Sequence, residues 1–448
     1  MENTQKQRGN LLQRTANVMV KFVQNYLPSP FTLAVVLTLI VFVVGLLVGT
    51  SFMDLTQGLA NGMFSLFPFT MQMVLVLVTG HVLASSPVVI RLLERLAGIP
   101  KTRVQAVMFT AVVAYIASYI NWGFGLIAGA IIARQMAAQN KGKMIHYPII
   151  IAAAYSGNIA RGPSSSIPLA VATEGHVMQD LIGIIPVGQT LYAGYNIIIT
   201  IALLILIPIL FKFMMPSEKD SIEFVPDTEE TKVEVKKTTK KTFAEKLDTA
   251  PVLAFVIGLL WVVYLVDFFR SSATFNLNLN TVILIFFTLG IFAHGNLERY
   301  SNAVGNGVKT SAGIILQFPF YAAIMTLMNV SGLTQIISNL FISIANADTL
   351  PVMTFWSAGL VNIFVPSGGG QWAVQGPIMM EAADALGADP GRVAMALAWG
   401  DSWTNQIQPF WALPALAIAN LKVRDIMGYC IMVLLLAGVV ISAGFLLL

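Results

Sequence analysis

Two polar stretches broken by Gly and Pro interrupt membrane-length apolar runs in each half of the chain, and each has a counterpart at the matching place in the other half. The first half carries Asn121-Trp122-Gly123-Phe124-Gly125 and Ser156-Gly157-Asn158-Ile159-Ala160-Arg161-Gly162-Pro163-Ser164-Ser165-Ser166. The second half carries Pro366-Ser367-Gly368-Gly369-Gly370-Gln371-Trp372 and Asp401-Ser402-Trp403-Thr404-Asn405-Gln406-Ile407-Gln408-Pro409. Backbone turns irregular at bilayer depth only where it faces protein or a water-filled cavity. Interrupted segments at matching positions of two halves are the sequence pointer to a transporter's substrate site.

Charged residues make up 11% of the 448 and hydrophobic residues 56%, with mean hydropathy +0.76. A soluble domain carries roughly 25% charge, so the fold class is an all-α polytopic membrane protein. The net charge of +4 sits in loops and reports topology rather than a nucleic-acid partner. One cysteine, Cys430, in an apolar run and four scattered histidines give no disulfide framework and no metal site. No P-loop, dinucleotide fingerprint, HExxH or nucleophile elbow occurs in a suitable context. Neither a catalytic set nor a cofactor is therefore expected.

A span needs roughly 20 apolar residues. Segments 31–50, 66–90, 189–213, 250–268, 279–294, 310–330 and 425–447 qualify, and 147–172 and 393–419 qualify with polar breaks. Segments 105–138 and 350–386 are too long for one helix and short for two spans. Loop charge decides them, because Lys and Arg mark the cytoplasmic side. Arg91, Arg95, Lys101 and Arg103 precede 105–138, and Arg134, Lys141 and Lys143 follow its turn. The segment therefore enters from the cytoplasm and returns. Segment 350–386 follows loop 331–349, which lacks Lys and Arg, and brings Glu381, Asp384 and Asp389 with only Arg392 basic, so it dips in from outside.

The reading is nine spans and two re-entrant hairpins. Residues 31–213 and 279–448 are expected to form inverted-topology repeats, each with a hairpin and a broken span, in an elevator-type transporter. Residues 1–30 form a cytoplasmic segment, within which 11–27 reads equally as an interfacial amphipathic helix or as a tail packed on the protein. Residues 214–249 form a charged cytoplasmic linker with room for a short helix at 242–248. Residues 250–278 add one span and an outside loop. The N-terminus is placed in the cytoplasm and the C-terminus outside, in the cell inner membrane.

Half-helices that start at the tips would aim free N–H groups at an anion. Glycines there would admit close backbone approach and positive φ. The candidate substrate-binding residues are Asn121, Gly123, Ser156, Asn158, Arg161, Ser164, Ser165, Ser367, Gly368, Gly369, Gln371, Trp372, Thr404 and Asn405. Asp401, Ser402 and Asn362 are candidates for a coupling cation, Na+ or H+. Trp122, Trp372, Trp403 and Trp411 are candidate walls. A mid-membrane charge costs about 2.5–3.5 kcal/mol on insertion scales, so Arg161 and Asp401 need a reason to be there. Two remain open: a clamp on the substrate carboxylate with a cation site at Asp401, or a structural ion pair.

The chain resembles the bacterial short-chain fatty acid transporters of the AtoE type over nearly its whole length. The resemblance rests on Asn25-Tyr26-Leu27-Pro28-Ser29-Pro30-Phe31, Ser118-Tyr119-Ile120-Asn121-Trp122-Gly123, Tyr155-Ser156-Gly157-Asn158 and Ser166-Ile167-Pro168-Leu169. It rests also on the long strings Val365 to Trp372 and Gly400 to Trp411. It implies membership of the wider ion-transporter superfamily, with paired hairpins and an elevator motion, and uptake of acetoacetate, butyrate and similar acids. Such acids offer one carboxylate and a few CH₂ groups worth about 0.8 kcal/mol each. Millimolar binding needs only about 4 kcal/mol, which a compact site can supply. A related dicarboxylate or peptide-like acid is the rival substrate, a channel the rival mechanism and an intramembrane enzyme the least supported. The expected partners are the carboxylate, the bilayer and a second copy in a homodimer.

Overall fold

The computed structural model describes residues 30–224, 242–271, 277–363 and 365–448. The expected amphipathic stretch 11–27 and the middle of the linker lie outside them. Among the described residues all regular structure is helical. Six helices among the described residues are long and apolar enough to cross a membrane, which makes this a multi-pass membrane protein.

The first repeat opens with α1 (Pro30–Leu47), α2 (Phe52–Gly62), α3 (Phe67–Ala84) and α4 (Pro87–Ala97). The hairpin α5 (Arg103–Ile120) and α6 (Trp122–Gln139) follows. The broken span is α7 (Tyr147–Ser156), a 3₁₀ turn (Gly157–Ile159) and α8 (Ser166–Val171). A short α9 (Gln179–Ile182) and the span α10 (Gly194–Met214) complete it. The linker contributes α11 (Phe243–Asp248) and the extra span is α12 (Pro251–Ser271).

The second repeat runs in the same order. It has α13 (Leu279–His294), α14 (Leu297–Val308), α15 (Ala312–Val330) and α16 (Leu333–Ile344), then the hairpin α17 (Leu350–Asn362) and α18 (Gly368–Leu386). Its broken span is α19 (Pro390–Thr404), a 3₁₀ turn (Asn405–Ile407) and α20 (Pro409–Ala419), and α21 (Val423–Leu447) closes the chain.

Both hairpins and both breaks fall where the polar stretches predict them. Four short helices do not come from a span count. These are α2, α4, α14 and α16, each charged or polar on one side and each joining consecutive apolar helices. The apolar run 66–90, read as one span, ends at Ala84. Ser86 caps α4 by accepting from Val89 N–H at 3.4 Å, and Pro87 stands at the first helical position, where its missing N–H costs nothing.

The helices pack in two groups. In one, α15 lies against α1 and α2, while α3 lies against α13 and α14. In the other, α17 packs on α19, α5 on α6 and α7, and α10 on α21. The two 3₁₀ breaks abut where the broken spans cross. On the loop side of the first repeat, Glu223 accepts from Gly142 N–H (3.0 Å) and Met144 N–H (2.7 Å). Loop 139–146 and the start of the linker are therefore in contact, as the double crossing of 105–138 requires.

Candidate substrate site between the hairpin tips

The two tips are built alike from different residues. Asn121 (φ −155°, ψ 125°) and Ser367 (φ −156°, ψ 114°) are both extended at the turn. Each caps the returning helix, Asn121 Oδ1 accepting from Phe124 N–H at 2.8 Å and Ser367 Oγ from Gly370 N–H at 3.4 Å. The free N–H groups of each new helix thus begin at the tip. At the first tip one of them is used, since Trp122 N–H donates to Ser164 Oγ at 3.0 Å.

None of the tip glycines has positive φ, which corrects that part of the sequence expectation. Their requirement is steric and mostly faces protein. A Cβ on Gly123 would stand 3.1 Å from Leu77 O of α3. A Cβ on Gly369 would meet Phe69 and Phe318, and one on Gly370 would run into the Tyr321 ring. A Cβ on Gly368 would instead meet polar residues of the broken spans, with Ser166 Oγ at 2.5 Å and Asp401 Oδ2 at 3.1 Å. The first tip thus docks on α3 and the second on α15, two helices that hold the same place in their repeats.

A small cavity of about 50 Å³ lies at this crossing. The first broken span gives it Asn158, Arg161, Ser165 and Ser166, and the second gives Asp401, Asn405 and Trp411. The tips give Trp122, Ser367, Gly368 and Gly369, and α3 and α15 close it with Met73, Ile314 and Phe318. Trp122 and Trp411 meet edge to face, centroids 5.6 Å apart.

Arg161 binds across the repeats. Its Nη2 donates to Asp401 Oδ2 at 2.8 Å, and its Nε to Ala398 O at 2.9 Å. Both side chains are over nine-tenths buried. Nη1 makes only a long bond to Ala160 O at 3.3 Å, and Asp401 Oδ1 has no partner. An ion pair exists, and each partner keeps unused capacity beside the cavity.

The other candidates support these residues from behind. Ser156 donates to Ala153 O and Ser402 to Trp399 O. Asn362 Nδ2 donates to Thr404 Oγ1 (2.9 Å) and Asn405 Oδ1 (2.8 Å), leaving Asn362 Oδ1 unpartnered. Thr404 donates to Gly359 O. Gln371 Nε2 ties α18 to Ala358 O at 2.7 Å. Trp403 is not a wall: it packs on Phe355 and Trp356 and donates to Leu434 O. Trp372 lines a different cavity. The serine run marked in the sequence reaches the cavity at Ser165 and Ser166, while sequence reasoning missed Met73, Ile314 and Phe318. Apolar residues in an apolar chain carry no signal of their own.

Comparison with known proteins agrees with this architecture. The solved YdaH transporter of Alcanivorax borkumensis, described as having an unusual topology, superposes with a TM-score of 0.52 over 93% of this chain and 97% of that one. At 14% identity the likeness is one of fold. A protein provisionally named a short-chain fatty acid transporter in Escherichia coli (strain K12) is 44% identical over 439 residues, covering 97% of this chain and 99% of its own length. A counterpart in Haemophilus influenzae (strain ATCC 51907 / DSM 11121 / KW20 / Rd), provisionally given the same name, is 41% identical over 446 residues, again 97% and 99%. The short chain fatty acid transporter family profile matches residues 11–448, and the chain belongs to that family.

Proposed function

We propose that this protein is a secondary active transporter that takes up short-chain monocarboxylates, acetoacetate and butyrate among them, in symport with a cation across the inner membrane. The observation that carries the proposal is the small cavity at the crossing of the two repeats. It joins one guanidinium, the N-terminal turn of α18 and several hydroxyls to aromatic and aliphatic walls. A carboxylate would take Arg161 Nη1 and the N–H groups at Gly368–Gly369, where helix-end charge favours an anion. A short alkyl tail would lie against Met73, Ile314 and Phe318. One fixed positive charge, already shared with Asp401, favours a monocarboxylate over a dicarboxylate.

Asp401 Oδ1 and Asn362 Oδ1, both buried and unpartnered, are oxygens that a proton or Na+ would satisfy. The hairpins and broken spans would move as a unit against α1–α3 and α12–α15. The protein would sit with its N-terminus in the cytoplasm and its C-terminus outside. Proteoliposome uptake of labelled butyrate and acetoacetate, with a sodium or a proton gradient imposed separately, tests the reading. Saturable uptake driven by one gradient supports it. Flux that never saturates would make the protein a channel, and no uptake of either acid would overturn the substrate class.

A further inference from the structure

A second cavity, of about 160 Å³, opens between the start of α3 and segment 170–177, lined in part by Leu66, Phe69, Ala170, Leu279, Trp372 and Ala373. It shares no lining residue with the first cavity, and the two come close at the second hairpin tip. Phe318 lines the first and Phe69 the second, and their ring centroids are 6.1 Å apart. Both rings rest on the second hairpin tip. A Cβ built on Gly369 would stand 2.9 Å from Phe69 Cε1 and 3.1 Å from Phe318 Cζ. Gly369 lines the first cavity, and Trp372, about one turn along α18, lines the second. Two phenyl rings and the first turn of α18 therefore stand between them, beside α3 at Gln72–Met73 and α8 at Ser166–Ala170.

We propose that the second cavity is the access vestibule through which a short, apolar-tailed monocarboxylate reaches the first, and that the Phe69–Phe318 pair seated on Gly369 is the gate between them. The proposal rests on the carboxylate reading of the first cavity. Its chemistry is that of a passage. The lining is mostly apolar, its carboxylate, Glu174, lies at the exposed rim, and no Lys or Arg lines it. An anion meets no fixed positive charge that would hold it short of Arg161, and a conducting path needs such weak intermediate stops. Opening requires only that a ring rotate off a residue with no side chain. Phe69 is half-buried and faces the vestibule, so it is the leaf with room to move.

Reagent access tests this without reference to transport. In a Cys430→Ser background, Ser165→Cys reports the first cavity and Val177→Cys the vestibule rim. An impermeant thiol reagent is added from the side of loop 173–178. Reaction at Ser165→Cys should be slow with Phe69 present and at least about tenfold faster with Phe69→Ala, because the rate scales with the open fraction. Phe69→Leu should fall between, and Val177→Cys should react equally in all three. Size-exclusion profiles confirm that each variant is folded, with Phe69→Leu as the milder change should Phe69→Ala aggregate. An unchanged Ser165→Cys rate in both variants overturns the gate. A raised rate in a protein that carries no butyrate would keep the gate and remove only the substrate class.

Discussion

Arg161 of the first repeat and Asp401 of the second meet at 2.8 Å, with both side chains more than nine-tenths buried. Removing one partner strands the other, which costs about 3–5 kcal/mol for a buried pair. Arg161→Gln and Asp401→Asn should each lower the thermal unfolding temperature in detergent. The double variant Arg161→Gln with Asp401→Asn should recover most of that loss. Uptake then separates the two roles. If Arg161 also holds the carboxylate, the double variant is folded and inactive; near-normal uptake would reduce the pair to architecture.

The matched tips predict matched costs. Losing a side-chain cap destabilises by about 1 kcal/mol, and replacement by Gly by only a few tenths. Asn121→Ala and Ser367→Ala should each show the larger loss in thermal unfolding, and Ser367→Gly the smaller. Equal losses for Ser367→Ala and Ser367→Gly would mean that Ser367 Oγ does not act as a cap.

The three glycines of the second tip should differ from one another. Gly370→Ala drives a methyl into Tyr321, whose hydroxyl donates to Gln317 at 3.0 Å. Overpacking of this kind costs about 1–3 kcal/mol. Gly368→Ala instead intrudes on Ser166 and Asp401, so it should weaken butyrate affinity more than stability. Binding isotherms and melting curves on both variants check the division. A Gly370→Ala variant that melts normally would show that the tip is not seated on α15.

The hairpins and breaks were legible because lipid forbids unsatisfied backbone. Polar, glycine-rich sequence at mid-membrane must therefore mean a fold-back or a cavity. Arg161 and Asp401 stand out in the sequence as mid-membrane charges that need a partner or a function, but the sequence does not say that they pair with each other. The docking of Gly369 on Phe69 and Phe318 was not legible, because it joins residues about 300 and 50 positions apart that look like any other apolar positions. The short helix α4 left a readable trace, Ser86 before Pro87, but a hydropathy window averaged it into the preceding span. Trp403 was misread as a wall because a tryptophan inside a polar break gives no sign of which way its ring turns.

The linker is pinned by a hydrogen bond that acid should break. His146 Nδ1 accepts from Ile222 N–H at 3.0 Å, and Tyr147 N–H donates to Ile222 O at 2.7 Å. Burial holds the His146 pKa below the ordinary histidine value. The folded state therefore binds fewer protons than the unfolded one, and stability falls as pH falls. The contribution is complete above about pH 6.5 and disappears as pH drops through the lowered folded value. Protonation also turns the Nδ1 acceptor into a donor facing the Ile222 N–H. Protease sensitivity near residues 217–224 should rise between about pH 7.5 and 5.5. His146→Gln should flatten that dependence; an unchanged profile in the variant would assign the effect elsewhere.

The contact between Glu223 and the loop at Gly142 and Met144 fixes one relation that sidedness labelling can read. The loop after the first hairpin and the start of the linker should share a face of the membrane, and the proposed topology, read from their lysines, makes that face the cytoplasmic one. The same topology places loop 173–178, one crossing further on, on the opposite face. Lys141→Cys, Lys219→Cys and Val177→Cys, each in a Cys430→Ser background, sit at exposed positions where substitution disturbs no packing. An impermeant maleimide on intact cells should label Val177→Cys alone. The same reagent on inverted vesicles should label Lys141→Cys and Lys219→Cys. Labelling of Lys141→Cys in intact cells with Lys219→Cys protected would separate two loops that the fold holds together, and the re-entrant hairpin α5–α6 would have to be replaced by a single crossing.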